Sequence, residues 1–278
     1  MPADHVQPGT ELSVTPTLAL MLGLVGLGVA LIGLVLAALA TAERPTVAVP
    51  DREGYFDRWQ PLHGGVDPRQ NPWLRGWLAL GYGVARPLAR LGVKPDVLTF
   101  TSTWIALAAI VVATYGGRWQ ILAGWLIVFS GLGDTLDGAV AAATERTTKW
   151  GYVLDSAVDR LNDVLYLVAV WIVGGPLWII LVAGVAFFLL EYIRARGRNA
   201  GGTEVGTVTV GERAVRVICC SIAVHWGGVF LSLGVFIATV SIGVLALLSL
   251  AGLGQIVVAV RRDLLSLGGD GSRVPRTD

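Results

Sequence analysis

Seven stretches of this 278-residue chain are apolar for about the length of a membrane crossing, at about 17–41, 96–116, 119–140, 151–173, 175–193, 214–232 and 235–259. A helix needs about 20 apolar residues to span the hydrocarbon core. A chain built this way has few choices, because lipid offers no partner for a backbone N–H or C=O, and a helix satisfies both within one segment. The balance of 54% apolar to 15% charged residues agrees, since a soluble domain carries roughly 25% charge. The expected fold is an all-α integral membrane protein. A net charge of +1 is spread as short basic clusters beside apolar runs, which flank membranes and form no face for nucleic acid. Cys219 and Cys220 are adjacent, so they close no loop and read as small packing residues.

The first run has no basic residues before it, exceeds a signal-peptide core and lacks a small-residue cleavage site, so it reads as a retained anchor. Residues 1–42 thus form an anchor unit, 43–95 a cytosolic linker, 96–262 a transmembrane catalytic domain and 263–278 a cytosolic tail. Within the linker, Asn71 to Leu91 has the Trp, Leu and Arg content of a helix lying in the membrane interface. Lys and Arg are absent from 1–16 and from Gly174-Gly175-Pro176, and the turn near 117–119 holds only Arg118. The other loops are basic, which places the N-terminus outside and the C-terminus in the cytosol of a multi-pass inner-membrane protein.

Chemistry concentrates where the third and fourth runs meet the cytosol. A charge inside a membrane costs at least ~2.5 kcal/mol unless compensated, yet Asp134, Asp137, Asp155 and Asp159 all lie at or within that boundary. The spacings i,i+3 and i,i+4 put each pair on one helix face, and the polar turn Thr144 to Lys149 brings the faces together. Carboxylates gathered in low dielectric call for hard divalent cations, magnesium first and manganese second. Gly138, Ala141, Ala142 and Gly151 leave room for a bulky ligand. His63 and His225 have no Cys or His at ligand spacing and read as satisfied polar contacts, and the ten tryptophans as interface belts.

Asp134-x2-Asp137-Gly138-x2-Ala141, followed by Gly151-x3-Asp155-x3-Asp159, resembles the CDP-alcohol phosphotransferase signature D-x2-D-G-x2-A-R-x8-G-x3-D-x3-D, with seven of eight fixed positions present. The departure is Ala142, where the signature has arginine. The resemblance covers about 92–262. It implies a six-helix bundle plus the extra N-terminal helix, a homodimer, and two Mg2+ or Mn2+ ions held by Asp134, Asp137, Asp155 and Asp159. It further implies CDP-diacylglycerol bound over Gly138, Ala141 and Gly151, with Asp159 as general base and CMP released. Arg146 or Lys149 could stand in for the missing arginine.

Glu191 to Arg196 ends the fifth run and Gly211 to Arg216 opens the sixth. These stretches are similar to those of actinobacterial phosphatidylinositol phosphate synthases and glycerophosphate-using relatives. A guanidinium fork suits phosphate, so Arg194, Arg213 and Arg216 are expected to bind a phosphorylated polyol, inositol phosphate or glycerol 3-phosphate. The same arginines are also expected at cytosolic helix ends from topology alone. The alternatives are an unphosphorylated alcohol, phosphatidylglycerol, or a member that binds lipid or nucleotide without turnover. A transporter would place its site at the midplane between internal repeats, and none is visible.

Overall fold

The computed structural model describes residues 33, 36–38, 40–62, 65–202 and 208–267. Among them there are helices and turns and no strand. The helices are α1 (Arg52–Leu62), α2 (Pro72–Arg90), α3 (Pro95–Thr114), α4 (Trp119–Thr144), α5 (Lys149–Ile172), α6 (Leu177–Asn199), α7 (Arg213–Val229) and α8 (Gly234–Leu267), with single 3-10 turns at Pro68–Gln70 and Leu231–Leu233. The anchor expected over 17–41 lies largely outside the described residues.

The six expected runs from 96 onward correspond to α3–α8. Among the described residues four spans are long and apolar enough to cross a membrane, Pro95–Thr114, Trp119–Thr144, Leu177–Asn199 and Leu231–Leu267. The shortfall has a physical cause. Helix α5 carries Asp155, Asp159, Arg160 and Asp163, and α7 is only 17 residues long and carries Arg213 and Arg216.

Helix α3 packs on α4 and α5, α4 on α7, and α6 and α7 on α8. One apolar core joins Ala109, Ile127, Tyr166, Phe187, Val224 and Leu245 from all six helices. The outside is apolar too, with Trp104, Trp125, Phe129, Trp178 and Phe236 exposed, the surface expected of a bundle dissolved in lipid. The α4–α7 crossing is close because it is lined by glycine. A Cβ on Gly124 would stand 2.5 Å from the His225 Cβ, and one on Gly228 2.8 Å from the Ile121 nitrogen. His225 Nδ1 lies 3.2 Å from the Ile121 carbonyl oxygen, a polar contact inside the bundle.

The linker is more structured than its composition suggests. Helix α2 was expected as a helix; α1 was not. Tyr55 and Phe56 of α1 and Leu78, Tyr82, Ala85 and Ala89 of α2 are buried against Ala139, Val140, Ala142 and Ala143 of α4. Burial pushes the Tyr55 hydroxyl up to about 12. Helix α1 has almost no amphipathic pattern and contains Pro61, so tertiary packing holds it.

Candidate active site at the α4–α5 turn

Helix α4 ends at Thr144, Glu145 adopts a left-handed conformation (φ 55°), and the chain restarts at Thr148, whose hydroxyl accepts from Gly151 N at 2.9 Å. That N-cap fixes the first turn of α5 and sets Asp155 across from α4. Carboxylate oxygens of Asp134, Asp137 and Asp155 come within 4.8 Å of one another. Asp137 is 4% exposed and accepts a hydrogen bond from Thr99 Oγ1 of α3. Asp134 Oδ1 is buried with no hydrogen-bond partner among the described residues. Hard oxygen donors at this separation, one of them unsatisfied, fit a divalent cation of the magnesium or manganese kind.

Asp159 has a different setting. Its carboxylate lies 2.5 Å from Arg213 Nη1 and 3.6 Å from Arg160 Nη2, and Arg213 also contacts Asp134. The aspartates therefore stand between two cavities. The first, about 420 Å³ in volume, is lined by Asp159, Arg160, Arg194, Arg198 and Arg213. The second, about 630 Å³, is lined by Asp137, Gly138, Ala141, Arg146, Gly151 and Asp155. Both volumes lie in the range of small-molecule sites. Tyr152 lines both and accepts a 2.6 Å hydrogen bond from Arg198. Gly138 keeps the larger cavity open, since a Cβ there would meet nothing within 4 Å.

Of the three arginines expected at the acceptor, Arg194 and Arg213 line the smaller cavity, and Arg216 needs reassignment. Arg216 is 1% exposed. Its guanidinium donates to Asp163 Oδ2 at 2.8 Å, Glu191 Oε1 at 2.6 Å and the Gly211 carbonyl at 3.2 Å, and it lies 4.9 Å over the Phe187 ring. Every side of the fork is occupied, so it braces α5, α6 and α7 behind the cavity. Arg194 is held by Glu212 at 2.6 Å and Glu191 at 3.3 Å. Glu212 opens α7. Burial raises its carboxyl, but hydrogen bonds from Arg194 and Thr209 outweigh this and hold it below the ordinary glutamate range. Arg160 was missed from sequence, although an arginine inside an apolar run is itself a signal of function. Thr99 gave no such signal.

Comparison with known proteins agrees with the fold. Residues 93–261 match the CDP-alcohol phosphatidyltransferase family. The chain is 32% identical over 160 residues to the archaetidylinositol phosphate synthase of Pyrococcus horikoshii, covering 56% of this chain and 81% of that protein. It is 33% identical over 189 residues to the phosphatidylinositol phosphate synthase of Streptomyces avermitilis, covering 63% and 75%. Among solved structures it superposes on Mycobacterium tuberculosis phosphatidylinositol phosphate synthase in complex with manganese and citrate, with TM-score 0.57 and 24% identity, over 70% of this chain and 93% of that one. The same enzyme with CDP-DAG bound gives TM-score 0.56 at 24% identity, over 71% and 99%. The helical bundle, the paired aspartates on α4 and α5 and the match over 93–261 together establish that this chain belongs to the CDP-alcohol phosphatidyltransferase family.

Proposed function

We propose that the chain transfers the phosphatidyl group of CDP-diacylglycerol to inositol phosphate, with glycerol 3-phosphate as the second choice, and releases CMP. The observation that carries this reading is the arginine-lined cavity around Asp159, joined to the aspartate cluster by Arg213, which contacts both Asp159 and Asp134. Asp134, Asp137 and Asp155 would hold the metal, with Asp159 at its edge, and two ions suit four carboxylates. A bound divalent cation supplies charge neutralisation for the diphosphate and for the departing CMP. The protein's own groups do the rest. Gly138, Ala141 and Gly151 leave space for the nucleotide. Arg194, Arg213 and Arg198 meet the acceptor phosphate, and Asp159 takes the proton of the acceptor hydroxyl. The hydroxyl oxygen bonds to the lipid-linked β-phosphorus as the bond from that phosphorus to the CMP oxygen breaks.

In this reading the six helices α3–α8 and the N-terminal anchor cross the cell membrane, α2 lies in its interface, the site faces the cytosol and the protein works as a homodimer. The loop charges support the orientation. Purified protein with CDP-diacylglycerol and Mn2+ or Mg2+ should be offered inositol phosphate, glycerol 3-phosphate, inositol, serine and phosphatidylglycerol in turn. CMP release is expected to be fastest with inositol phosphate. Preference for inositol or phosphatidylglycerol would reassign the acceptor.

A further inference from the structure

We propose that the N-terminal segment 43–58 completes the nucleotide site: Arg58 positions the α4–α5 turn so that Arg146 presents a guanidinium N–H to the nucleotide's phosphates, replacing the signature arginine that Ala142 lacks. The inference rests on the larger cavity being the nucleotide site. Helix α1, which carries Arg58, lies outside the matched residues 93–261.

Position 142 cannot serve here. Ala142 is 3% exposed and packs with Tyr55, Phe56 and Tyr82 beneath α1 and α2, where a guanidinium has no room. The cation arrives from above. Arg58 Nη1 donates to the Ala143 carbonyl at 2.6 Å, and Nη2 lies 3.1 Å from the Glu145 carboxylate. The last carbonyls of a helix lack intrahelical partners and favour positive charge, so Arg58 closes the end of α4. Its pairing with Glu145 holds a residue whose left-handed backbone is unfavourable for any side chain larger than glycine. That residue begins the turn whose Arg146, Thr147, Thr148 and Lys149 wall the cavity.

Arg146 is gripped from the same segment. Its Nη2 donates to the carbonyls of Glu43 at 3.0 Å and Arg44 at 3.2 Å, whereas Nη1 is buried with no partner among the described residues. Arg146 lines the cavity, and a buried guanidinium nitrogen left unsatisfied is costly unless an anion meets it. The segment carrying Glu43 is pinned in turn, by Glu43 N donating to Gly92 O at 3.0 Å and by Lys94 at 2.6 Å from the Glu43 carboxylate. Gly92 has φ 77°, and a Cβ on it would stand 2.3 Å from Glu43 O.

The test is calorimetric titration of the full-length protein with CMP in Mg2+, which reads the nucleotide site without turnover. Arg146→Gln should weaken CMP binding by about 10- to 150-fold, the loss of one charge-assisted hydrogen bond. Arg58→Gln should weaken it by about 10-fold and Arg58→Lys by less, while the inositol phosphate KM stays unchanged. Because Arg58 acts through Arg146, the double variant should bind no more weakly than Arg146→Gln alone. If Arg58→Gln does not fold, Gly92→Ala loosens the segment from its other end and should weaken CMP binding in the same Arg146-dependent way. Unchanged CMP affinity in Arg58→Gln or Gly92→Ala, or single effects that multiply in the double variant, would overturn the inference. Wild-type protein that binds no CMP removes the nucleotide reading and this inference with it.

Discussion

Asp134 and Asp155 face each other from two helices, and their value lies in charge rather than shape. Replacing either with Asn keeps the volume and removes the ligand, so activity at any Mg2+ or Mn2+ concentration should vanish while the protein elutes from a sizing column unchanged. Asp159→Asn should lower kcat by about 10²- to 10⁴-fold, the range for a lost general base, with the KM for CDP-diacylglycerol little moved; a purely ligating Asp159 would raise that KM too. The arginines divide by burial. Arg194→Gln should raise the acceptor KM by about 10- to 150-fold, whereas Arg216→Gln should destabilise the fold by about 3–5 kcal/mol because it strands the buried Asp163 carboxylate. A detergent thermal melt separates the two. The aspartates were legible in sequence because their spacing sets them on helix faces. Arg216 was not, since an arginine at a helix start reads alike whether it meets a ligand, a headgroup or an ion pair 25 and 53 residues away.

Among the elements, α3–α8 could be read from their apolar length; their starts fall close to the expected ones, whereas α4, α6 and α8 run on past the expected ends to Thr144, Asn199 and Leu267. Helix α1 could not, because its order comes from burying Tyr55 and Phe56 on α4 rather than from any pattern of its own. The α4–α7 crossing makes a prediction for packing. Gly124→Ala would set its Cβ 2.5 Å from the His225 Cβ and must push α7 away, and a loss of about 1–3 kcal/mol is expected, read as a lower melting temperature. At the start of α7, Glu212 has a lowered folded-state value, so its contribution is present above the unfolded value of about 4.3 and is lost as pH falls through the folded one. The stability gap between wild type and Glu212→Gln should therefore be full at pH 7 and close as the pH drops below about 4.

For the whole molecule, an apolar exterior surrounds a charged interior at one end of the bundle, and two cavities meet there across Tyr152. Lipid solubility was plain from composition, but the division into two cavities depends on which charges the folded helices turn toward one another, and sequence spacing does not give that. In the proposed reaction, acceptor phosphate and lipid end in one molecule. The most direct measurement supplies phosphorus-labelled inositol phosphate with CDP-diacylglycerol and Mn2+ to the purified protein and follows the label into the chloroform phase. The account predicts lipid-borne label that appears in step with CMP and is abolished by chelator or by Asp155→Asn. Label that stays in the aqueous phase while CMP is released, or that enters lipid equally well in chelator, would contradict it.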